Sequence, residues 1–257
     1  MPVAIVTGAS TGIGNALARE LARRKWKVGL VARRTELLEA LVGEIRAEGG
    51  EAAAASADVG DREAVHGAVQ ALEAALGPCD LLVANAGIGN PTPVHREPWD
   101  TLAEIMRVNY FGAVNAVAAV LPGMLARGRG HLAVVSSVAG FRGLPMHGAY
   151  SASKAAVSTL FESWRIELAP RGIVCTAIHP GFVDTPLTKK NKSPMPWIIP
   201  AERAAVIVAD GLEAGRADIT FPWQYRWLMG VARWFPNWRW DRAVGRRAKQ
   251  FTDGKAA

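Results

Sequence analysis

The chain has 257 residues, half of them apolar, with 26 glycines and a formal net charge of +7 at pH 7. That length fits one α/β domain around one hydrophobic core, and the apolar share excludes an intrinsically disordered chain. Two cysteines, Cys79 and Cys175, lie far apart beside apolar strand-like runs without metal-ligand spacing, so buried free thiols are expected rather than a disulfide or a zinc site.

Short apolar runs alternate with longer segments of helical period, the signature of βαβ units and a parallel sheet. The spacing predicts strand Val3–Thr7, helix Ile13–Arg24, strand Lys27–Ala32, helix Glu36–Glu48, strand Glu51–Ala57 and helix Arg62–Leu76. The alternation continues through strand Leu81–Ala84, helix Leu102–Arg127, strand Leu132–Ser136, helix Tyr150–Ala169, strand Val174–Ile178, helix Ala201–Ala214 and strand Ile219–Phe221. Val3–Thr7 and Leu132–Ser136 are apolar at nearly every position, as strands covered on both faces are. The expected architecture is α/β: a single-domain, doubly wound (Rossmann-like) parallel sheet of seven strands over residues 1–221, with helices on both faces. Segments Ile88–Pro98, Phe141–Ala149 and Phe182–Pro200 would follow strand C-termini, where ligands bind in open α/β sheets. No charged and apolar leader precedes Val3, and no uninterrupted apolar run reaches roughly 18 residues, so neither a signal peptide nor a spanning helix is expected.

Between the first strand and first helix runs Thr7-Gly8-Ala9-Ser10-Thr11-Gly12-Ile13-Gly14. Glycines there permit a tight turn and close approach of a pyrophosphate, and the helix N-terminus offers free N–H groups to its charge. Gly8, Ser10, Thr11, Gly12, Ile13 and Gly14 are therefore candidate dinucleotide contacts, a structural turn being the alternative. The second strand ends in Val31-Ala32-Arg33-Arg34. A site for NAD usually places an acid about 20 residues past the Gly-rich turn to hold the ribose 2′-OH, whereas a guanidinium suits a phosphate. NADP(H) is the expected cofactor, with Arg33 the main 2′-phosphate contact and Arg34 the second, against a pair of solvated arginines.

Tyr150 and Lys154 stand four residues apart on a helix, one turn apart on one face. A phenol with a reference pKa of about 10 is a poor acid at neutral pH, and an adjacent ammonium favours the phenolate. The pair is then a general acid/base; the alternative is a half-buried tyrosine beside a solvated lysine.

The basic charge belongs to the C-terminal end. From Ile219 onward there are eight Lys/Arg against Asp241 and Asp253, and five of the nine tryptophans. Residues 222–257 are expected to form a helical extension. Trp223, Trp227, Val231 and Trp234 follow steps of four, four and three, giving one apolar face. Two roles fit: a cover for the cleft or subunit interface, or an amphipathic element peripheral to a membrane surface, where Trp and Arg are favoured. No nucleic-acid-binding motif is present, and no nucleic acid partner is expected.

Several motifs in order, at matching spacing, make the chain resemble the short-chain dehydrogenase/reductase family over about residues 1–220. Thr7–Gly14 looks like the family's T-G-x-x-x-G-x-G turn, and Asp58-Val59 resembles the pair that contacts adenine. Asn85-Ala86-Gly87 matches the N-A-G that lines the cofactor and braces the sheet, with Ala84 where the family often has a further Asn. Asn109 falls at the helix position whose backbone holds a relay water in the family, and Ser137 lies 13 residues before Tyr150, as in family members. Pro180-Gly181-Phe182-Val183-Asp184-Thr185 is similar to the run that cradles the nicotinamide amide, through Pro180, Gly181, Val183 and Thr185.

The resemblance implies hydride transfer between NADP(H) and a carbonyl or alcohol, with Asn109, Ser137, Tyr150 and Lys154 catalytic. Ser137 and Tyr150 would donate to the carbonyl oxygen; Lys154 would lower the Tyr150 pKa and hold the ribose hydroxyls; Asn109 would position water for proton return. Substrate contacts are expected from Ser137, Phe141, Leu144, Met146, His147, Tyr150, Phe182 and Trp197, with Leu187 and Met195 in the same loops, which suggests a lipophilic ketone or aldehyde. His147 is alternatively a satisfied loop histidine. Lys189, Lys190 and Lys192 would meet an anionic substrate or form a solvated lid edge. The family is commonly dimeric or tetrameric through the helices holding Asn109 and Tyr150, so a cytoplasmic homodimer or homotetramer is expected. The rival from another class is a catalytically idle cofactor sensor or scaffold.

Overall fold

The computed structural model describes residues 1–190, 194–232 and 234–252, with backbone only for Lys190, Met229, Ala243 and residues 246–252. Lys192 and the side chain of Lys190 lie outside the described residues.

The chain opens with β1 (Val3–Thr7), α1 (Gly12–Arg23), β2 (Lys27–Ala32), α2 (Thr35–Ala47), β3 (Ala52–Ser56), α3 (Arg62–Leu76) and β4 (Leu81–Ala84). After a loop come α4 (Trp99–Met106), a π-helical turn over Arg107–Phe111, α5 (Gly112–Arg127), β5 (Gly130–Val135), α6 (Gly148–Leu168) and β6 (Ile173–Pro180). A two-residue pair, β7 (Val183–Asp184) and β8 (Ile199–Pro200), precedes α7 (Ala201–Glu213), β9 (Asp218–Phe221), α8 (Trp223–Ala232) and α9 (Asn237–Thr252).

Seven strands form one sheet in the order β3-β2-β1-β4-β5-β6-β9. Every adjacent pair is parallel, from Val3 opposite Lys27 to Pro180 opposite Phe221. Strands covered by helices on both faces bury both sets of side chains, and β1 and β4 are buried along their whole length.

One core layer packs α1, α2 and α7 against the sheet through Leu17, Leu21, Leu38, Leu41, Val208 and Leu212. The other packs α3, α5 and α6 through Val65, Leu72, Val117, Val120, Val157 and Phe161. Each leucine removed from water in this way contributes roughly 1.5–3 kcal/mol. Arg24 ties α1 to α7, donating at 2.7 Å to Glu20, Asp210 and Glu213. Cys79 and Cys175 are buried free thiols, and burial pushes them up to about 12 and about 11.

The single helix expected over Leu102–Arg127 begins earlier, at Trp99, and is interrupted by the π turn. The run Trp99–Arg127 is long and apolar enough to cross a membrane by length and composition. Here Val108, Ala113, Ala116, Val117, Val120 and Met124 are spent on the core under the sheet.

Candidate functional site

Strand order reverses between β1 and β4, and a crevice opens beyond their C-terminal ends. Gly8 and Gly12 in the turn after β1 adopt φ of +66° and +62°, the left-handed region that glycine enters without strain. A Cβ on Gly8 would stand 2.7 Å from the Ala86 Cα. One on Gly14 would collide with Asn85 Nδ2 and lie 2.5 Å from the Gly8 carbonyl. Asn85 Nδ2 donates to the carbonyls of Thr7 and Gly8 at 2.9 and 3.2 Å, and the Thr7 hydroxyl accepts from the N–H groups of Asn85 and Ala86, both at 3.1 Å. The two turns are thereby locked into one wall. The N-cap of α1, Thr11, makes no side-chain cap, and the first turn holds no acidic residue. Its N–H groups and dipole are left for an anion.

Arg34 reaches over this turn, donating from Nη2 to Ser10 Oγ at 2.8 Å and Thr11 Oγ1 at 3.1 Å. Asp58, beyond β3, accepts from Arg107 at 2.9 Å and from the Gly60 N–H at 2.9 Å. The Arg107 hydrogen bond, followed by more distant positive charge that includes Arg33, holds this carboxyl below the usual range. Arg107 also grips Glu104 through two hydrogen bonds, at 2.6 and 2.8 Å.

At the other end of the crevice, the first turns of α6 present Tyr150 and Lys154. Lys154 is buried, and its Nζ donates to the Val135 carbonyl at 2.7 Å while standing 5.8 Å from the centre of the Tyr150 ring. Burial pushes the amine down to about 8. Tyr150 corrects the expectation of a lowered phenol: burial raises its pKa, and a hydrogen bond with Ser137 only partly opposes this. The physical reason is that both groups are taken out of water, and the ammonium points at a backbone carbonyl. Ser137 Oγ accepts from the Ala139 N–H at 3.1 Å and donates to the Pro180 carbonyl at 3.4 Å.

A cavity of about 350 Å³ joins the two ends. Its wall includes Gly8, Ser10, Thr11, Gly12, Ile13, Arg33, Arg34, Asp58, Val59, Asn85, Ala86, Gly87, Ser137, Tyr150, Lys154, Pro180, Gly181, Val183 and Thr185. Gly14 sits under the turn, outside that wall. Asn109 is buried behind it: its side chain accepts from the Ile88 N–H at 2.8 Å and donates to the Ile88 carbonyl at 2.9 Å and Ser153 Oγ at 3.0 Å.

The loop residues expected at the substrate are dispersed. Phe141 stacks on His179 with ring centres 4.9 Å apart. Phe182 and Trp197 meet Tyr225 edge-on at 6.1 and 5.3 Å. Met146 takes φ +67° and lines a separate depression with Pro91 and Pro98, its carbonyl accepting from Thr92 at 2.6 Å. Leu144 is half-buried and accepts from the His147 N–H at 3.1 Å, and burial lowers the His147 imidazole. None of these six belongs to the cavity wall, whereas Leu187 does. Lys189 is exposed.

Sequence reasoning missed Arg107, whose signal was its spacing of three from Glu104 on a helical run, and the wall residue Val108, whereas Ile88 and Pro186 fall in the segments expected at the ligand. It also missed Tyr225, whose ring lies where a Cβ on Gly181 would be. A dinucleotide fits what is present: a Gly-built cradle, an uncapped helix N-terminus, two arginines at one end and a hydroxyl pair beside a buried amine at the other.

A family model described as short chain dehydrogenase matches residues 2–196. An uncharacterized oxidoreductase of Myxococcus xanthus is 44% identical over 243 residues, 95% of this chain and 96% of that protein. An alcohol dehydrogenase of the archaeon Thermococcus sibiricus, solved in complex with 5-hydroxy-NADP, matches with a TM-score of 0.78 and 29% identity, covering 86% of this chain and 96% of that one. A short chain dehydrogenase/reductase of Burkholderia phymatum, solved in complex with NAD, gives 0.79 and 26%, covering 85% and 88%. Both types of nicotinamide dinucleotide therefore occur in structural neighbours. With α6 inside the matched region and an oxidoreductase aligned along nearly its whole length, the chain belongs to the short-chain dehydrogenase/reductase family and is an oxidoreductase.

Proposed function

We propose that this oxidoreductase uses NADP(H) to interconvert a lipophilic ketone or aldehyde with its alcohol, reduction being the favoured direction. One observation carries the cofactor choice: the Arg34 guanidinium sits on the hydroxyls of Ser10 and Thr11, with Arg33 in the same wall and Ala32 where an acid would hold a ribose 2′-OH. When bound, the dinucleotide supplies a hydride to the substrate carbon.

The chain's own residues do the rest. Tyr150 keeps its proton at neutral pH, because burial raises its pKa, and releases it to the carbonyl oxygen as negative charge grows there. Ser137, beside Tyr150, offers the oxygen a second hydroxyl once its proton turns from the Pro180 carbonyl to the substrate. Lys154 holds a positive charge below about pH 8 near the phenol, stabilising the phenolate left behind. Ile88, Pro186 and Leu187 supply the apolar part of the wall, which favours a lipophilic substrate.

A screen of hydrophobic ketones and aldehydes, following NADPH absorbance, tests the proposal. Turnover is expected with NADPH over NADH and is lost in Tyr150→Phe, which still binds NADPH. An unchanged cofactor preference in Arg33→Asp and Arg34→Asp overturns the NADP(H) assignment. Binding of NADPH without turnover of any carbonyl supports the idle sensor instead.

A further inference from the structure

The C-terminal helix α8 is anchored from one side. Tyr225 and Ala232 are buried, and the Tyr225 hydroxyl donates to the Pro196 carbonyl at 3.0 Å. The start of α9 is pinned too: Trp240 Nε1 donates to the Gly143 carbonyl at 3.0 Å, and the Arg142 guanidinium lies 5.2 Å from the Trp240 ring centre. Arg142 also donates to the Phe235 carbonyl and Asn237 Oδ1, both at 3.3 Å. The extension is thus held to the body by its inner face.

Its outer face is not covered by any of the described residues. Trp223 is 68% exposed, Trp227 71%, Leu228 51%, Val231 49%, Trp234 86% and Trp238 61%. A single exposed tryptophan is ordinary, but six large apolar side chains on two successive helices and their connection form a patch that marks a docking surface. Covering the body is the part of the inner face, through Tyr225, while Trp223 and Trp227 point away from it.

We infer that this face docks on an anionic lipid bilayer. The segment from Ile219 onward carries eight Lys/Arg against two Asp, and Arg226, Arg239 and Arg242 are exposed among the tryptophans. A two-fold contact with a second copy would bring like charges together, whereas lipid phosphates complement them. Tryptophan favours this boundary, its ring entering the acyl region and its N–H remaining at headgroup level. Arg239 already lies over the Trp238 ring at 5.0 Å, a stacked pair whose exposed cation complements a lipid phosphate. The anchor residue Tyr225 touches Gly181, which lines the main cavity, so docking brings that cavity near the bilayer.

Sedimentation of the full chain with vesicles decides the matter, independently of activity. Vesicles with about one third phosphatidylglycerol should pull the protein down, pure phosphatidylcholine vesicles far less, and salt should weaken the binding. Binding should shift tryptophan emission to the blue. Trp223→Ser/Trp227→Ser should reduce the partition about tenfold or more while leaving NADPH binding and Tm unchanged. Sedimentation with neither vesicle type, or an unaffected double variant, overturns the inference. So does a wild-type oligomer that the double variant dissolves, since a second copy would then own the face.

Discussion

Lys154 donates to the carbonyl of Val135 at 2.7 Å from a position 3% exposed, so the amine reads as part of the fold as well as the site. The buried cation is a net cost. Its pKa falls from 10.5 to about 8, so below about pH 8 both folded and unfolded states hold the proton and the penalty is complete. Between about 8 and 10.5 the unfolded state binds more protons, and stability rises with pH. The difference corresponds to at most about 3 kcal/mol, against about 1 kcal/mol for the hydrogen bond to Val135. Lys154→Met should therefore lose turnover on the order of a hundredfold yet show an equal or higher Tm at pH 7. A fall in Tm of several degrees would mean that the amine stabilises the fold.

The same titration predicts the rate profile. With Lys154 charged below about pH 8 and Tyr150 protonated throughout that range, kcat/KM for reduction should be flat near neutrality and decline above about pH 8. The lysine sets the limb, because the phenol is displaced upward. Steady-state assays from pH 6 to 10 at fixed ionic strength check this, and Lys154→Arg, whose guanidinium stays charged, should move the limb to higher pH.

Most of the fold was legible because strands such as Val3–Thr7 and Leu81–Ala84 are covered on both faces and read as continuous apolar runs. The interruption at Arg107–Phe111 was not, since a π turn inserts one residue into a helix whose apolar period otherwise continues. The Gly-built end of the crevice was readable because glycine positions and strand ends are local signals. The packing partners of Phe141, Phe182 and Trp197 were not legible, for the opposite reason. Their loops are placed by long-range contacts with His179 and Tyr225, which no spacing encodes. Periodicity found the Trp223/Trp227 stripe but carries no sign, so it cannot say whether a stripe faces in or out.

Arg107 positions Asp58 and should act on cofactor affinity without touching the chemistry. It donates to Asp58 at 2.9 Å and to Glu104 at 2.6 Å, and Asp58 in turn accepts from Gly60 at the crevice rim. The pair is about a third exposed on each side, which limits its stability contribution to roughly 1 kcal/mol. Arg107→Ala is expected to raise the KM for NADPH several-fold with kcat little changed. Titration of intrinsic fluorescence with NADPH gives the same weakening directly. A fall in kcat at unchanged KM would instead place Arg107 with the reacting groups.

Two glycine substitutions of the same chemistry should move stability in opposite directions. In α2, Gly43 has nothing within 4 Å of an added Cβ, so Gly43→Ala gains helix propensity and should raise stability by about 0.5–1 kcal/mol. In α1, the methyl of Gly14→Ala would collide with Asn85 Nδ2 and stand 2.5 Å from the backbone oxygen of Gly8. The amide of Asn85 can move only by giving up its bonds to Thr7 and Gly8, and the Gly8 oxygen can move only with the turn. Overpacking of this kind costs about 1–3 kcal/mol, and the helix propensity gained is too small to offset it. Because the displaced turn is also the proposed dinucleotide cradle, Gly14→Ala should weaken NADPH binding along with Tm, while Gly43→Ala leaves binding alone. Chemical denaturation with and without NADPH measures both effects. Equal stability of the two variants would show that Asn85 does not lock the turn.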